Sequence, residues 1–395
     1  MSERVFITGL GIVAPLGTGQ DAYWTGLLRG RGMPREHPSL DRERVPNRLF
    51  YSVDHEVNGV AGPEERLPRG LRLAVRAAGM CIADAGIAVA GDAVVGVSIG
   101  TGMGTSDVLE SGRANATELT PADHFVFGIS AAIAAEHGCT GPNLSVSTAC
   151  SAGGYSVGIA ADAIRSGMAD AMITGGAEGI CRVPIACFNR LGALDPVTCR
   201  PFDSRRAGTV FGEGAAIMVL ESESHFRARS GKRVYAELKG SGWSCDGHHP
   251  TAPEPSGGAI LAALRDALRD AGVAPGEVDC VVPHGTGTEL NDLVESRVLR
   301  EFFGERADQL LTCAIKSMVG HGGGAAGAFS VLTAAMIVDR GMVPPTANVS
   351  EVDPRCDWRL HRDGAVSANV RNVLVNAYAF GGNNISVVLG KPHGV

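Results

Sequence analysis

The segment AVRAAGMCIADAGI at residues 74–87 decides the fold, because ILAALRDALRDAGV at residues 260–273 repeats its pattern. Both segments are typical of amphipathic helices, and both end in Asp-Ala-Gly. Further along, Gly-Thr-Gly at 100–102 lies opposite a second Gly-Thr-Gly at 285–287, at nearly the same spacing. Self-similarity that covers several elements in the same order predicts two similar halves.

Apolar runs between the helical patterns extend this prediction along the chain. Several of them are continuously hydrophobic rather than alternating, which is typical of buried strands with helices packed on the sheet. We therefore predict an α/β fold with two domains, residues 1–228 and 229–395, joined by a polar connector near 221–233. The predicted strands are 5–11, 94–100, 143–148, 171–176, 215–220, 234–242, 279–285, 310–316, 372–380 and 385–390.

Composition and charge narrow the possible functions. The chain has 395 residues, of which 45% are hydrophobic, so it can bury a large core. A formal net charge of −7 and the lack of any basic run argue against a nucleic-acid partner. The ten cysteines form no CxxC pair, so no metal or redox motif is expected. No apolar run is long enough for a membrane span, and we expect a cytoplasmic protein with reduced thiols.

One cysteine stands out from the other nine. The sequence STACSAGG at 147–154 places Cys150 among small residues, where a predicted strand gives way to a helical pattern. A free cysteine is most often a small buried hydrophobe. At the start of a helix, however, the helix dipole favours a thiolate, and small neighbours permit a tight turn like the serine nucleophile elbow. Cys150 is therefore a candidate nucleophile.

Three glycine-rich segments in the second half supply further candidates. PHGTGTELND at 283–292 joins a histidine to two threonines, KSMVGHGGGAAG at 316–327 joins a rare lysine to a histidine, and NAYAFGGNN at 376–384 places a phenylalanine before two glycines. Each segment can also be explained without a catalytic role. His284 in 283–292 could be a structural histidine, 316–327 could be a glycine-rich helix contact, and 376–384 could be a simple turn. A phosphate-binding loop is a further alternative for 283–292, but no Gly-Lys-Ser/Thr follows.

The order of the motifs, rather than any one of them, points to a family. TACSAG, RPFD, FGEGA, HGTGT, KSMVGH and FGGNN follow one another over nearly the whole chain. This series resembles the elongating condensing enzymes, the beta-ketoacyl-acyl carrier protein synthases of the I/II branch and the type II polyketide ketosynthases. The resemblance implies the thiolase fold, in which two βαβαβαββ halves pack as α-β-α-β-α layers, in agreement with the internal repeat.

The resemblance also implies a role for each motif residue. Cys150 matches the acylated nucleophile, His284 and His321 match the histidine pair, and Lys316 matches the lysine that orders the site. The implied reaction is a decarboxylative Claisen condensation of the Cys150-bound acyl group with malonyl-acyl carrier protein, which gives a 3-oxoacyl product. The resemblance further implies that the backbone of Cys150 and Phe380 forms an oxyanion hole and that the Phe380 side chain is a gate beside the nucleophile. Thr286 and Thr288 match residues that bind the phosphopantetheine arm, and Phe188 matches a residue of the acyl pocket. Asp292 and Glu295 match acidic residues that order the site.

Several positions depart from the family pattern. Ser330 stands where the fatty-acid enzymes carry a glutamate, so the ionic partner of Lys316 is open. Gly322 and Gly323 replace larger apolar residues, and Asn383 replaces a threonine. These departures favour a polyketide ketosynthase over a fatty-acid enzyme.

The resemblance implies particular partners, and several other classes of protein remain as alternatives. It implies no cofactor of the protein's own, substrates held on the phosphopantetheine of an acyl carrier protein, and either a homodimer or a heterodimer with a chain-length-factor homologue. A thiolase would need a second cysteine near the C-terminal turn, and an initiating synthase would have asparagine in place of the second histidine. A cysteine hydrolase would need neither the lysine nor HGTGT. A non-catalytic chain-length factor is the main alternative, but such partners lose the nucleophile.

Overall fold

A computed structural model describes residues 3–40, 47–53, 67–89, 91–115 and 125–394. Its helices are α1 (Gln20–Leu28), α2 (Arg69–Ala85), α3 (Ser106–Asn115), α4 (Gly128–His137), α5 (Ala152–Arg165), α6 (Arg182–Arg190), α7 (Glu223–Ala228), α8 (Gly258–Ala271), α9 (Glu289–Phe303), α10 (Lys316–Val319) and α11 (Ala326–Arg340). Its strands are β1 (Val5–Ala14), β2 (Gly17–Thr18), β3 (Arg35–Glu36), β4 (Leu49–Phe50), β5 (Val95–Gly100), β6 (Asn143–Val146), β7 (Ala171–Glu178), β8 (Gly214–Ser222), β9 (Ala236–Cys245), β10 (Cys280–Val282), β11 (Leu311–Thr312), β12 (Met342–Val343), β13 (Val366–Ser367), β14 (Asn372–Tyr378) and β15 (Asn383–Gly390).

The sheet repeats one topology twice. In the first half the strand order is β1-β8-β7-β5-β6, and in the second it is β9-β15-β14-β10-β11. In both halves the first two neighbouring pairs are antiparallel and the last two are parallel. A short antiparallel pairing of β1 with β9 joins the halves into one continuous sheet. The predicted two-fold repeat is therefore confirmed, while the boundary between residues 228 and 229 stays a prediction.

The repeated helices occupy equivalent places. Helix α2 packs on β1 and β8, and α8 packs on β9 and β15, each on the outer face of its half. Both helices end at a glycine with left-handed backbone, Gly86 (φ 59°) and Gly272 (φ 61°), which closes the last turn without a Cβ clash. Helices α5 and α11 pack against each other between the two halves of the sheet. The order of layers is thus α-β-α-β-α, as predicted.

One local prediction was wrong, and another needs refinement. The connector at 221–233 is polar and mostly exposed after Ser222, as predicted, but it is partly regular, because it contains the end of β8 and helix α7. Its Phe226 is buried edge-on against Phe6, and its Glu221 is buried in an ion pair with Arg229. Lys316 does not end a strand, since β11 stops at Thr312 and Lys316 begins the one-turn helix α10. No helix in the described part of the chain is long and apolar enough to cross a membrane.

Candidate active site

Cys150 lies in a strained turn between β6 and α5. Strand β6 ends at Val146, a 3₁₀ turn covers Ala149–Ser151, and α5 begins at Ala152. Ala149 has φ 47°, a left-handed conformation that costs a residue with a Cβ about 1–2 kcal/mol. The predicted elbow is confirmed, and it places the Cys150 side chain on the wall of a cavity.

The protonation of Cys150 differs from the expectation of a thiolate. Burial raises the pKa of the Cys150 thiol to about 11, and the positive charge of Lys316 lowers it only in part. The apolar surroundings disfavour the charged form by more than Lys316 favours it. Cys150 therefore favours the protonated form at neutral pH.

The cavity gathers most of the predicted site residues. Its volume is about 370 Å³, and it opens toward the loop that contains Asp246 and Thr251. Lys316, Asp292 and Glu295 are buried behind its wall. The predicted residues on the wall are Cys150, Phe188, His284, Thr286, Thr288, His321 and Phe380.

The two histidines lie side by side and are both neutral. The rings of His284 and His321 are 5.9 Å apart and nearly perpendicular, and Phe211 stacks on His321 at 5.4 Å. Burial holds the pKa of each histidine well below its usual value, and the charge of Lys316 lowers both further. Two neutral imidazoles can each donate one hydrogen bond without supplying a strong acid.

Lys316 is held by His284 rather than by a residue of α11. Its Nζ donates to the His284 carbonyl oxygen at 2.5 Å and lies 3.4 Å from His284 Nδ1. Burial lowers the pKa of Lys316, and among nearby charges Glu295 opposes this most strongly. The Ser330 hydroxyl is buried without a hydrogen-bond partner among the described residues. Within the described residues Lys316 forms no ion pair, so Glu295 acts on Lys316 through its charge and not through a direct contact.

The two acids of α9 shape the loop that contains His284. Glu295 accepts the backbone N–H groups of His284 (2.7 Å) and Gly285 (2.8 Å), and burial raises its pKa to about 7. Asp292 accepts the N–H groups of Phe202 and Gly287. Both carboxyl groups accept backbone N–H groups of segments around the cavity, so they order the site without lining the cavity themselves.

The two threonines and the pair Phe188–Phe380 line the same cavity as Cys150. The hydroxyls of Thr286 and Thr288 are 2.8 Å apart. Phe188 stacks on Phe380 with the ring centres 4.9 Å apart. The turn of Phe380 is tied to the loop at 245–251, because Gly381 N–H donates to the Pro250 carbonyl and Asp246 N–H donates to the Gly382 carbonyl.

Three buried polar residues near the site were not predicted. Tyr378 and Arg206 line the cavity, and each has a polar atom without a hydrogen-bond partner among the described residues. Glu178 lies where β5, β7 and the turn after His321 meet. A charged residue at the end of the apolar strand 171–178 is the signal that could have identified Glu178.

Comparisons with known proteins agree with this geometry. The family description "Beta-ketoacyl synthase, N-terminal domain" matches residues 2–225, and "Beta-ketoacyl synthase, C-terminal domain" matches residues 235–350. The chain is 34% identical to 3-oxoacyl-[acyl-carrier-protein] synthase 2 of Synechocystis sp. over 98% of both chains. It is also 34% identical to the tetracenomycin polyketide synthase ketoacyl synthase alpha subunit of Streptomyces glaucescens, over 99% of this chain and 97% of that protein.

A solved structure of known type has the same fold. The ishigamide ketosynthase/chain length factor superposes with a TM-score of 0.92 at 38% identity, over 99% of this chain and 100% of that one. The two family matches together cover well over half of the chain. The protein belongs to the beta-ketoacyl synthase family, the condensing acyltransferases with a thiolase fold.

Proposed function

We propose that this protein is the catalytic ketosynthase of a polyketide pathway, acting in the cytoplasm on chains carried by the phosphopantetheine arm of an acyl carrier protein. The observation that carries the proposal is the joint position of Cys150 in its strained turn and two neutral histidines on one cavity. The departures at Ser330 and Gly322 favour a polyketide over a fatty acid product, and the relatives include polyketide ketosynthases as well as 3-oxoacyl-[acyl-carrier-protein] synthases of about equal identity. The intact nucleophile argues against a chain-length-factor role.

The first step transfers the acyl group to Cys150. The Sγ atom attacks the carrier thioester, the new C–S bond forms, and the arm leaves as a thiolate that takes up the Cys150 proton. Because the pKa of Cys150 is raised to about 11, this proton moves during the attack rather than before it. The N–H groups of Cys150 and Phe380 would stabilise the oxyanion. Thr286 and Thr288 would hold the arm.

The second step makes the carbon–carbon bond. The malonyl thioester carbonyl accepts hydrogen bonds from His284 and His321, its carboxylate leaves as CO₂, and the electron pair moves onto the carbonyl oxygen as an enolate. The enolate carbon attacks the acyl carbonyl on Cys150, and the C–S bond breaks. The products are a 3-oxoacyl-carrier protein, CO₂ and the Cys150 thiolate, which takes up one proton from water. Neutral donors suit this step because they stabilise the enolate without protonating its carbon.

A second subunit, either another copy or a chain-length-factor homologue, fits the open edge of the sheet. No described strand pairs with the outer edge of β6. Leu144 on this strand is 40% exposed, and Phe125 and Phe127 stack on each other in solvent one turn before Ser130, which bonds to Ser145 of β6. An unpaired strand beside exposed apolar side chains is typical of a subunit interface.

Separating the two steps tests the proposed function. Incubation with an acyl-carrier protein should add one acyl group to the protein, detected by intact mass, and Cys150→Ala should abolish it. His321→Ala should still be acylated but should not release CO₂ from malonyl-carrier protein. Acylation at another residue, or CO₂ release that survives His321→Ala unchanged, would contradict the assigned roles.

A further inference from the structure

Glu178 is a buried acid that the proposed mechanism does not use. It ends β7, it accepts a hydrogen bond from the turn after His321, and the residue is only 5% exposed. Among the described residues, no arginine or lysine forms an ion pair with it. A buried carboxylate without a counter-ion is costly unless several hydrogen bonds compensate for the lost water. The segments that its hydrogen bonds join therefore indicate its role.

Four donors surround the carboxylate, and they come from both halves of the molecule. Oε2 accepts the N–H groups of Gly102 (2.7 Å) and Gly324 (2.8 Å). Oε1 accepts the N–H of Met103 (3.1 Å) and the hydroxyl of Thr101 (3.2 Å). Residues 101–103 follow β5 in the first half, whereas Gly324 belongs to the turn that comes directly after His321 in the second half.

The backbones that meet at Glu178 also touch the start of the nucleophile helix. A Cβ on Gly324 would lie 2.1 Å from the Gly102 nitrogen, and a Cβ on Gly100 would lie 2.3 Å from the Gly153 nitrogen. A Cβ on Gly153 would lie 2.9 Å from the Gly324 oxygen. The β5 loop, the turn after His321 and the start of α5 are therefore in direct backbone contact, with Glu178 as the charged group that bonds to two of them.

The chain leaves room for this carboxylate at a position where it departs from the family. Gly323 has φ 52°, and a Cβ there would lie 2.8 Å from Glu178 Oε2. A larger residue at 323 with this backbone would displace the carboxylate from the Gly324 N–H. The glycine and the buried acid thus depend on each other.

We propose that Glu178 is a positioning residue that fixes His321 relative to Cys150 by tying the turn after His321 to the β5 loop across the two halves. This inference rests on the proposed function, because it assigns Glu178 a part in the same condensation. Burial is the main cause of the raised pKa of Cys150; the charge of Lys316 opposes it, and the charge of Glu178, whose own pKa burial raises to about 7, adds to it.

Glu178→Gln tests the proposal, because glutamine keeps the shape but loses the charge and one acceptor oxygen. We expect kcat for condensation to fall roughly ten- to hundredfold, since displacement of a reacting group by about 1 Å has effects of that size, with KM for malonyl-carrier protein nearly unchanged. Acylation of Cys150 should fall less than CO₂ release does. The rate of Cys150 alkylation by iodoacetamide should rise at a lower pH than in the wild type, because a negative charge beside the thiol has gone.

Two further variants keep the test decisive. Glu221→Gln removes another buried carboxylate, one that is paired with Arg229 far from the site, and it should leave both steps and the alkylation profile unchanged. Gly323→Ala keeps the charge of Glu178 but crowds its carboxylate. It should therefore reduce the rate of condensation without changing the pH dependence of Cys150 alkylation. If Glu178→Gln does not fold, this variant tests the role of Glu178 in its place. If the wild-type protein is not acylated by an acyl-carrier protein, the proposed function is wrong. With wild-type acylation intact, equal losses in both steps, or rates within twofold of wild type in both variants, would overturn the role of Glu178 alone.

Discussion

Lys316 is the residue whose charge acts on both histidines and on Cys150. It donates to the His284 carbonyl oxygen, lowers the pKa of both histidines and lowers the pKa of Cys150, while burial lowers its own pKa. Burial is the main reason that the imidazoles are neutral, and this one cation adds to it while making the thiol easier to ionise. The charge of Glu295 raises the pKa of Lys316 and so favours its protonated form, although Ser330 stands where a glutamate was expected.

Replacing Lys316 by methionine should slow the nucleophile. Without the cation the pKa of Cys150 rises further above 11, and each unit reduces the thiolate fraction about tenfold below the pKa. We expect Lys316→Met to be alkylated several-fold more slowly than wild type at pH 8. Lys391→Met, at an exposed lysine bonded to Asn369, should match wild type. An unchanged alkylation rate in Lys316→Met would mean that the lysine does not act on the thiol.

The ten strands that form the two similar halves of the sheet could be predicted from the sequence, whereas the short additional elements could not. Each of the ten predicted strands has a counterpart in the sheet, because a continuous apolar run buried on both faces leaves a clear pattern. The additional two-residue strands β2, β3, β4, β12 and β13 and the one-turn helix at Lys316 leave no such pattern, since their backbone is set by tertiary contacts. The same limit applies to Glu178, whose partners are backbone groups from segments distant in sequence.

The turn before α5 makes its own prediction. Ala149 adopts φ 47°, which glycine tolerates and a β-branched residue does not. Ala149→Gly should therefore keep acylation near the wild-type rate with a change in unfolding free energy within about 1 kcal/mol. Ala149→Val should lose about 2 kcal/mol or more and acylate poorly, because valine forces the turn to rearrange. Urea unfolding and intact-mass acylation measure both effects, and full acylation of Ala149→Val would show that the strained turn is not required.

At the scale of the whole molecule, the site exists because two similar halves contribute different chemistry. The first half supplies the proposed nucleophile Cys150 in the turn before α5, and the second supplies the histidines, Lys316 and the threonines. The motif order predicted which residues gather around one cavity. It could not predict that burial raises the pKa of Cys150, because burial depends on how the two halves pack together.

The open edge of β6 makes the last prediction. If a second subunit covers it, Leu144 changes from 40% exposed to buried, and an arginine there would place an unpaired charge in the interface. Leu144→Arg should therefore shift the protein, alone or with its chain-length-factor partner, from dimer to monomer in sedimentation velocity. Met33→Arg, at a side chain 65% exposed and outside this surface, should leave the dimer intact. A Leu144→Arg protein that stays dimeric at micromolar concentration would place the interface elsewhere, and the exposed Phe125–Phe127 stack would then need another explanation.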